Sequence, residues 1–405
     1  MGGTRYVIIG NGAAGTTAAE LLRKRQSDAA VTLITDEPYP LYNRVTLPRA
    51  LKHEVPLDRV FIRTVDWHAQ NGITLMRETR VTRVSVEERT VLTSRGQEIP
   101  WDRLLIATGG RPNPLPAPGA DAKQVMNFQG YDDTVVLDRQ IHRSRRAVSV
   151  GGSFIAYELA EAFRVRGLEV VWMMRGPRWL RRILDDEGGV LVDRIAADHG
   201  VEVIHGHEVE HVLVRDGAVA GVRTTGGQTL DGQAVGVGVG LTLNTDLLAG
   251  TGVETREGIV TDEYLRTSVP DIFAAGDIAE YRDQVTGVHH RMGTWDNALF
   301  HGRVAAMNMM GVEHPYIEVP TYQSGLFDTI ISVIGVTPEG LPDAQSVTAC
   351  DMAARTYRKV FFSPEGTIVG AVMVGSIKGK KKLMDLIKQH AAFASETDRR
   401  VLVEA

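Results

Sequence analysis

The chain has 405 residues, 43% of them hydrophobic and 23% charged, with a formal net charge of -5. This length allows two to three domains with a sizeable core. The mild acidity gives no basic footprint for nucleic acid, and no run of about 18 apolar residues marks a membrane span.

A single cysteine, Cys350, cannot close an intrachain disulfide, form a C-x-x-C redox pair or complete a four-cysteine iron–sulfur or zinc site. The N-terminal "MGGTRYVIIG" enters a strand almost at once, which leaves no room for a signal peptide and makes a reducing cytoplasm the expected location.

"YVIIGNGAAGTTAAELLR" (Tyr6–Arg23) predicts an apolar strand, a glycine turn and an amphipathic helix, with the strand "VTLITDE" (Val31–Glu37) after it. The turn Gly10-Asn11-Gly12-Ala13-Ala14-Gly15 is a full G-x-G-x-x-G between strand and helix. In that motif the first glycine makes the tight turn, the second admits a pyrophosphate and the third packs helix on strand. Asp36 and Glu37 stand about twenty residues on, where a carboxylate can accept from ribose hydroxyls. Next comes "DEPYPLYNRVTLPRAL" (Asp36–Leu51), which carries Arg44 and Arg49 and no cysteine.

The proline-rich "GGRPNPLPAPGA" (Gly109–Ala120) reads as a stiff connector. A second strand–turn–helix, "AVSVGGSFIAYELAEAFRVRG" (Ala147–Gly167), precedes the strand "EVVWMM" (Glu169–Met174). Its turn keeps Gly151 but has Ser153 and Ala156 at the other two glycine positions. The strand ends Met173-Met174-Arg175, without the ribose carboxylate. Arg175 then offers a partner for a 2′-phosphate, to which Arg181 and Arg182 could add, so the pattern leans slightly to NADPH over NADH. His205, His207 and His211 read as surface-strand residues, because no thiol or carboxylate cluster completes a metal site.

After "AVGVGVGLTLN" (Ala234–Asn244) the chain is expected to return to the first unit, and beyond Pro315 to form alternating strands followed by a helix at "KKKLMDLIKQHAAF". The expected fold is α/β, with two Rossmann-like dinucleotide-binding domains for FAD and NAD(P)H plus a small α+β C-terminal domain. Its expected parts are 1–112 with 241–314, then 113–240, then 315–405.

Four ordered motifs carry a resemblance. Besides the first glycine turn they are "WDRLLIATGGRP" (Trp101–Pro112), "LRTSVPDIFAAGDIA" (Leu265–Ala279) and "WDNALFHGRVAAMNMMG" (Trp295–Gly311). Together they resemble the pyridine-nucleotide-dependent FAD reductases of the glutathione-reductase structural superfamily. The chain is most similar to the thiol-free rubredoxin and ferredoxin reductases and to the flavin portion of NAD(P)H nitrite reductases.

The resemblance implies FAD contacts at Gly10, Gly12, Ala13, Ala14, Gly15, Asp36, Glu37, Ala107, Thr108, Gly109, Arg111, Gly276 and Asp277, with Asp277 on the ribityl chain and Trp295 at the flavin face. "YNRVTLPR" is similar to the Y-D-R-P-P-L-S-K stretch of thiol-free members, which implies Arg44 near the FAD phosphates and Arg49 near the isoalloxazine. Gly151, Ser153, Phe154, Ile155 and Arg175 are implied for NADPH or NADH, and Glu158 for positioning at its nicotinamide end. Arg49 and Glu158 are the two residues assigned to the chemistry itself.

The expected function is hydride transfer from NAD(P)H to FAD, then electron delivery to a small iron-containing carrier such as a rubredoxin or ferredoxin. "KGKKK" (Lys378–Lys382) could steer such an acidic partner. Two alternatives stay open: a flavin subunit of a larger nitrite- or quinone-reducing assembly, or a flavin-binding component with a degraded nicotinamide site. The third domain is where such relatives form homo-oligomer interfaces. His289-His290, between two of the FAD motifs, could line the flavin pocket, and nothing local specifies a role for the pair.

Overall fold

The computed structural model describes residues 3–404; Met1, Gly2 and Ala405, the outermost positions of the expected first and third parts, lie outside the described residues. Its first layer is a parallel sheet whose strands run, from edge to edge, Ile272–Ala274, Arg103–Ile106, Arg5–Ile9, Ala30–Ile34 and Ile73–Met76. The central strand is buried from Tyr6 to Ile9, as expected of a parallel strand covered on both faces.

The helix Ala13–Arg25 packs one face through Ala18, Ala19 and Leu22. Small residues let it approach the helix Trp295–Met309 closely: a Cβ on Gly302 would sit 2.3 Å from the Ala14 carbonyl oxygen.

A second parallel sheet repeats the plan in the order Val201–His205, Glu169–Met174, Arg146–Val150, Ala234–Val237 and Val125–Asn127. Two short antiparallel strands, Gly110–Pro112 and Leu241–Leu243, carry the chain out of the first unit and back, with Arg111 opposite Thr242. The proline-rich connector is therefore half of a two-stranded crossing.

The remaining chain forms a five-stranded antiparallel sheet, in the order Thr321–Leu326, Thr329–Gly335, Ile368–Val374, Thr356–Phe362 and Gln345–Asp351, with helices Lys380–Lys388 and Glu396–Glu404. It is built directly onto the second nucleotide unit. Leu326, Ile331 and Tyr357 share one apolar core with Tyr157, Trp172 and Trp179. The Phe327 amide donates to the Tyr157 hydroxyl at 2.7 Å, and Thr348 donates to Asp185 at 2.9 Å.

Candidate active site between the two glycine turns

One cavity of about 1260 Å³ touches both glycine turns. In the first turn Gly10 has φ 113°, and a Cβ there would lie 2.1 Å from the Ala107 carbonyl oxygen, so only glycine fits. Above Gly12 there is open space, with nothing within 4 Å of an added Cβ. Gly12 is the N-cap of the helix Ala13–Arg25 and supplies no side-chain cap. The uncapped helix start thus opens on the cavity as a ready anion site. Gly15 works from behind: its Cβ would sit 1.9 Å from the Gly10 oxygen.

Asp36 and Glu37 line the same cavity beyond the second strand. Arg44 donates from Nη2 to Glu37 Oε1 at 2.8 Å and from Nη1 to the Gln129 carbonyl at 3.0 Å, while Arg80 pairs with Asp36 at 3.1 Å. Ala13, Ala14, Ala107, Thr108, Gly109 and Arg111 complete this wall, with Arg111 held by Asn244 and Asp246.

At the far end Gly276, Asp277, Gly293, Thr294 and Trp295 face the cavity. Burial raises the Asp277 carboxyl above the usual carboxylate range, although Arg44 and Arg291 pull it back. Its carboxylate accepts no hydrogen bond from another described residue. A desolvated acceptor aimed into a cavity suits the hydroxyls of a ribityl chain. Open cradle, uncapped helix start, ribose-side acid and the cavity-facing Asp277 carboxyl together fit FAD.

The second turn is closed differently. Ser153 Oγ donates to the Gly238 carbonyl at 2.8 Å and accepts from the Ala156 amide at 3.3 Å, which makes Ser153 the helix cap. Ser153, Phe154 and Ile155 line the cavity, whereas Gly151 lies behind it and presses on Gly238. Arg175 is also outside the cavity wall, on the surface, 3.5 Å from Glu208.

Glu158 sits in the wall between the turns, where Tyr322 and Ser324 from the antiparallel sheet donate to its Oε1 at 3.3 and 3.2 Å. Burial pushes its carboxyl up to about 7 against those two donors, with Glu161 adding repulsion and Lys52 attraction.

Arg49 departs from expectation. It does not line the cavity: its guanidinium is 58% exposed and bonds Glu54 at 3.1 Å. The helix Leu47–Leu51 buries Leu47, Ala50 and Leu51, and that phase turns position 49 to solvent. Lys52 beside it turns inward to the protein rather than to the cavity, its Nζ bridging Glu161 at 3.1 Å and Glu54 at 3.0 Å, and Arg44 is a cation that does line the wall.

For Tyr322, whose ring packs tilted at 46° against Phe154 with centroids 4.0 Å apart, no local signal existed. His205, read as a surface residue, is half-buried and bonded to Asp193 at 2.8 Å. His290 lies outside the cavity wall, buried 3.7 Å from Asp283. Among the described residues no three His, Cys, Asp or Glu side chains are grouped to hold a metal ion, and no helix is long and apolar enough to cross a membrane.

Comparison with known proteins agrees with this geometry. Residues 4–302 match the family described as pyridine nucleotide-disulphide oxidoreductase. The chain is 29% identical to a nitrite reductase [NAD(P)H] of Bacillus subtilis over 98% of its own length, which is 49% of that relative. It thus spans about half the length of the nitrite reductase and of the nitrate reductase electron transfer subunit that it also matches. It is 30% identical to the ferredoxin–NAD(+) reductase component of an anthranilate 1,2-dioxygenase system of Burkholderia cepacia, over 92% of this chain and 91% of that one.

Among solved structures, a ferredoxin reductase from Rhodopseudomonas palustris superposes with a TM-score of 0.90 at 26% identity, covering 98% of this chain and 97% of the other. Cys350 falls beyond the matched span, and no second thiol exists to pair with it. With both nucleotide units, the cavity between them and the family match in agreement, this chain belongs to the pyridine nucleotide-disulphide oxidoreductase family.

Proposed function

We propose that the chain is an FAD-dependent NAD(P)H oxidoreductase that passes electrons to a small iron-containing carrier of the ferredoxin or rubredoxin kind. The observation that carries this reading is the single cavity reaching both glycine turns, which lets two dinucleotides meet end to end. Bound FAD would supply the redox chemistry, taking hydride from the nicotinamide and releasing electrons singly.

The chain's own residues bind, orient and shield. The Gly10–Gly15 turn and the helix start take the pyrophosphate, Glu37 the ribose, and Asp277 the ribityl hydroxyls. Ser153, Phe154 and Ile155 receive the nicotinamide nucleotide. Glu158, held by Tyr322 and Ser324, orients the nicotinamide end at the cavity wall. Residues 1–112 with 241–314 would form the flavin part, 113–240 the nicotinamide part and 315–405 the third part, which also lends Tyr322 and Ser324 to the site.

Arg175 favours NADPH by offering a cation to the 2′-phosphate once it leaves Glu208. The basic stretch 378–382 would receive an acidic carrier: Lys380 bonds Gln323 at 3.1 Å and feels Asp296, the neighbour of Trp295. A lone thiol, which cannot form an intrachain disulfide, supports a cytoplasmic setting.

The purified protein should be yellow, and NADPH or NADH should bleach its flavin absorbance within seconds. Bleaching by neither nucleotide rejects the proposal. A second reading follows from the two Bacillus relatives of twice the length: the same unit delivering electrons to a partner domain of a nitrite-reducing assembly. Steady-state turnover with ferredoxin, rubredoxin and quinone acceptors separates the two, because a self-standing carrier reductase must turn over with a small iron protein.

A further inference from the structure

His301 is a buried titratable residue that the reading above leaves without a task. It lies in the second turn of the helix Trp295–Met309 and is 0% exposed. Its Nδ1 accepts the backbone N–H of Gly276 at 3.3 Å. Gly276 has φ 79° and directly precedes Asp277. Two tyrosine rings box the imidazole edge-on: Tyr281 at 4.7 Å and 87°, and Tyr316 at 4.5 Å and 88°.

The box is also tied to the neighbouring segment at the same end of the cavity. The Tyr316 hydroxyl donates to Asn297, and Asn297 Nδ2 donates to the Met292 carbonyl at 2.7 Å, next to the cavity-lining Gly293 and Thr294. A Cβ on Gly293 would come within 3.3 Å of the Asp277 carboxyl carbon, so the two segments are packed against each other.

We propose that His301 is the positioning residue that holds the Gly276–Asp277 turn in its flavin-binding shape, by accepting the Gly276 amide proton on Nδ1; this rests on the flavin reading above. An imidazole can accept there only as the neutral Nε2–H tautomer, since both nitrogens of the imidazolium are donors. Burial, with a further push from His290, keeps the ring neutral by lowering it to about 3. Nε2 and the Tyr281 hydroxyl have no partner among the described residues, so the Gly276 amide is the one polar contact that aligns the ring. A leucine of similar volume would fill the box and leave that buried amide unpaired. A glutamine could accept through its side-chain oxygen.

The test compares wild type, His301→Leu and His301→Gln as holoproteins, by FAD dissociation constant, flavin midpoint potential and thermal unfolding. Histidine nitrogen NMR on the wild type reads the tautomer directly. The expected results are the neutral Nε2–H form in wild type, FAD binding weakened roughly tenfold to a hundredfold with a shifted potential in His301→Leu, and recovery of both in His301→Gln.

Wild-type affinity and potential in His301→Leu would overturn the assignment alone. So would an Nδ1–H or doubly protonated ring in wild type, even where His301→Leu fails to fold. Wild-type protein that takes up no FAD overturns the flavin reading itself, and the assignment with it.

Discussion

The two glycine turns share a strand–turn–helix plan and differ in who satisfies the helix start. In the first, Gly12 offers no side chain and the space above it is open, so the helix amides wait for a ligand's phosphates. In the second, Ser153 takes the Ala156 amide itself and ties the turn to Gly238, so part of the anion site is already spent within the protein. The acids differ in the same direction: Glu37 faces the first cavity end, whereas Met174-Arg175 closes the second strand and Arg175 leans on Glu208. A permanently held cofactor suits the first arrangement. A nucleotide that must bind and leave at every turnover suits the second.

Breaking the first turn should have the largest effect. Gly15→Val puts side-chain atoms into the Gly10 carbonyl, already 1.9 Å from a Cβ, and the expected product is colourless protein, measured as flavin content after purification. Asp277→Ala removes the cavity-facing carboxylate, and FAD affinity should fall by roughly a factor of a hundred in fluorescence titration, the scale of a charge-assisted bond.

The boundary between the turns is tested through Glu158. With its carboxyl raised from 4.5 to about 7, the folded chain keeps a proton that the unfolded chain has released. That contribution to stability is whole below about pH 4.5 and is lost as pH rises through about 7. Glu158→Gln should therefore flatten the decline of urea midpoints between these limits. A mutant with the wild-type slope would show that another group titrates there.

Smaller effects belong to the second turn. Arg175→Ala should lower kcat/KM for NADPH about tenfold and leave NADH nearly unchanged, a modest change because the side chain is largely exposed. Ser153→Ala should cost about 1 kcal/mol of stability, seen as a fall of about one degree in Tm for a chain of this length, through loss of the helix cap.

Both nucleotide units were readable because their signals are local. An apolar parallel strand, a glycine whose Cβ would strike a backbone oxygen and a helix with small residues on one face are written within about twenty residues. Asp277 and Trp295, found through resemblance, do face the cavity, since they sit at the ends of a strand and of a helix aimed at it. Arg49 was misplaced for a geometric reason: its helix is one turn long, and only packing of Leu47, Ala50 and Leu51 sets which way it rolls.

The sequence by itself determined two dinucleotide-binding units in order, the missing acid of the second, and chemistry without a thiol pair. Tertiary structure alone decided that Arg49 turns to solvent while Lys52 pairs with buried Glu161, that Tyr322 and Ser324 reach Glu158 from a strand more than 160 residues away, and that His301 supports the flavin turn. The reason is physical: backbone geometry at a turn is set by neighbours along the chain, whereas a side chain's partner across an interface is set by how layers dock, which no local pattern encodes.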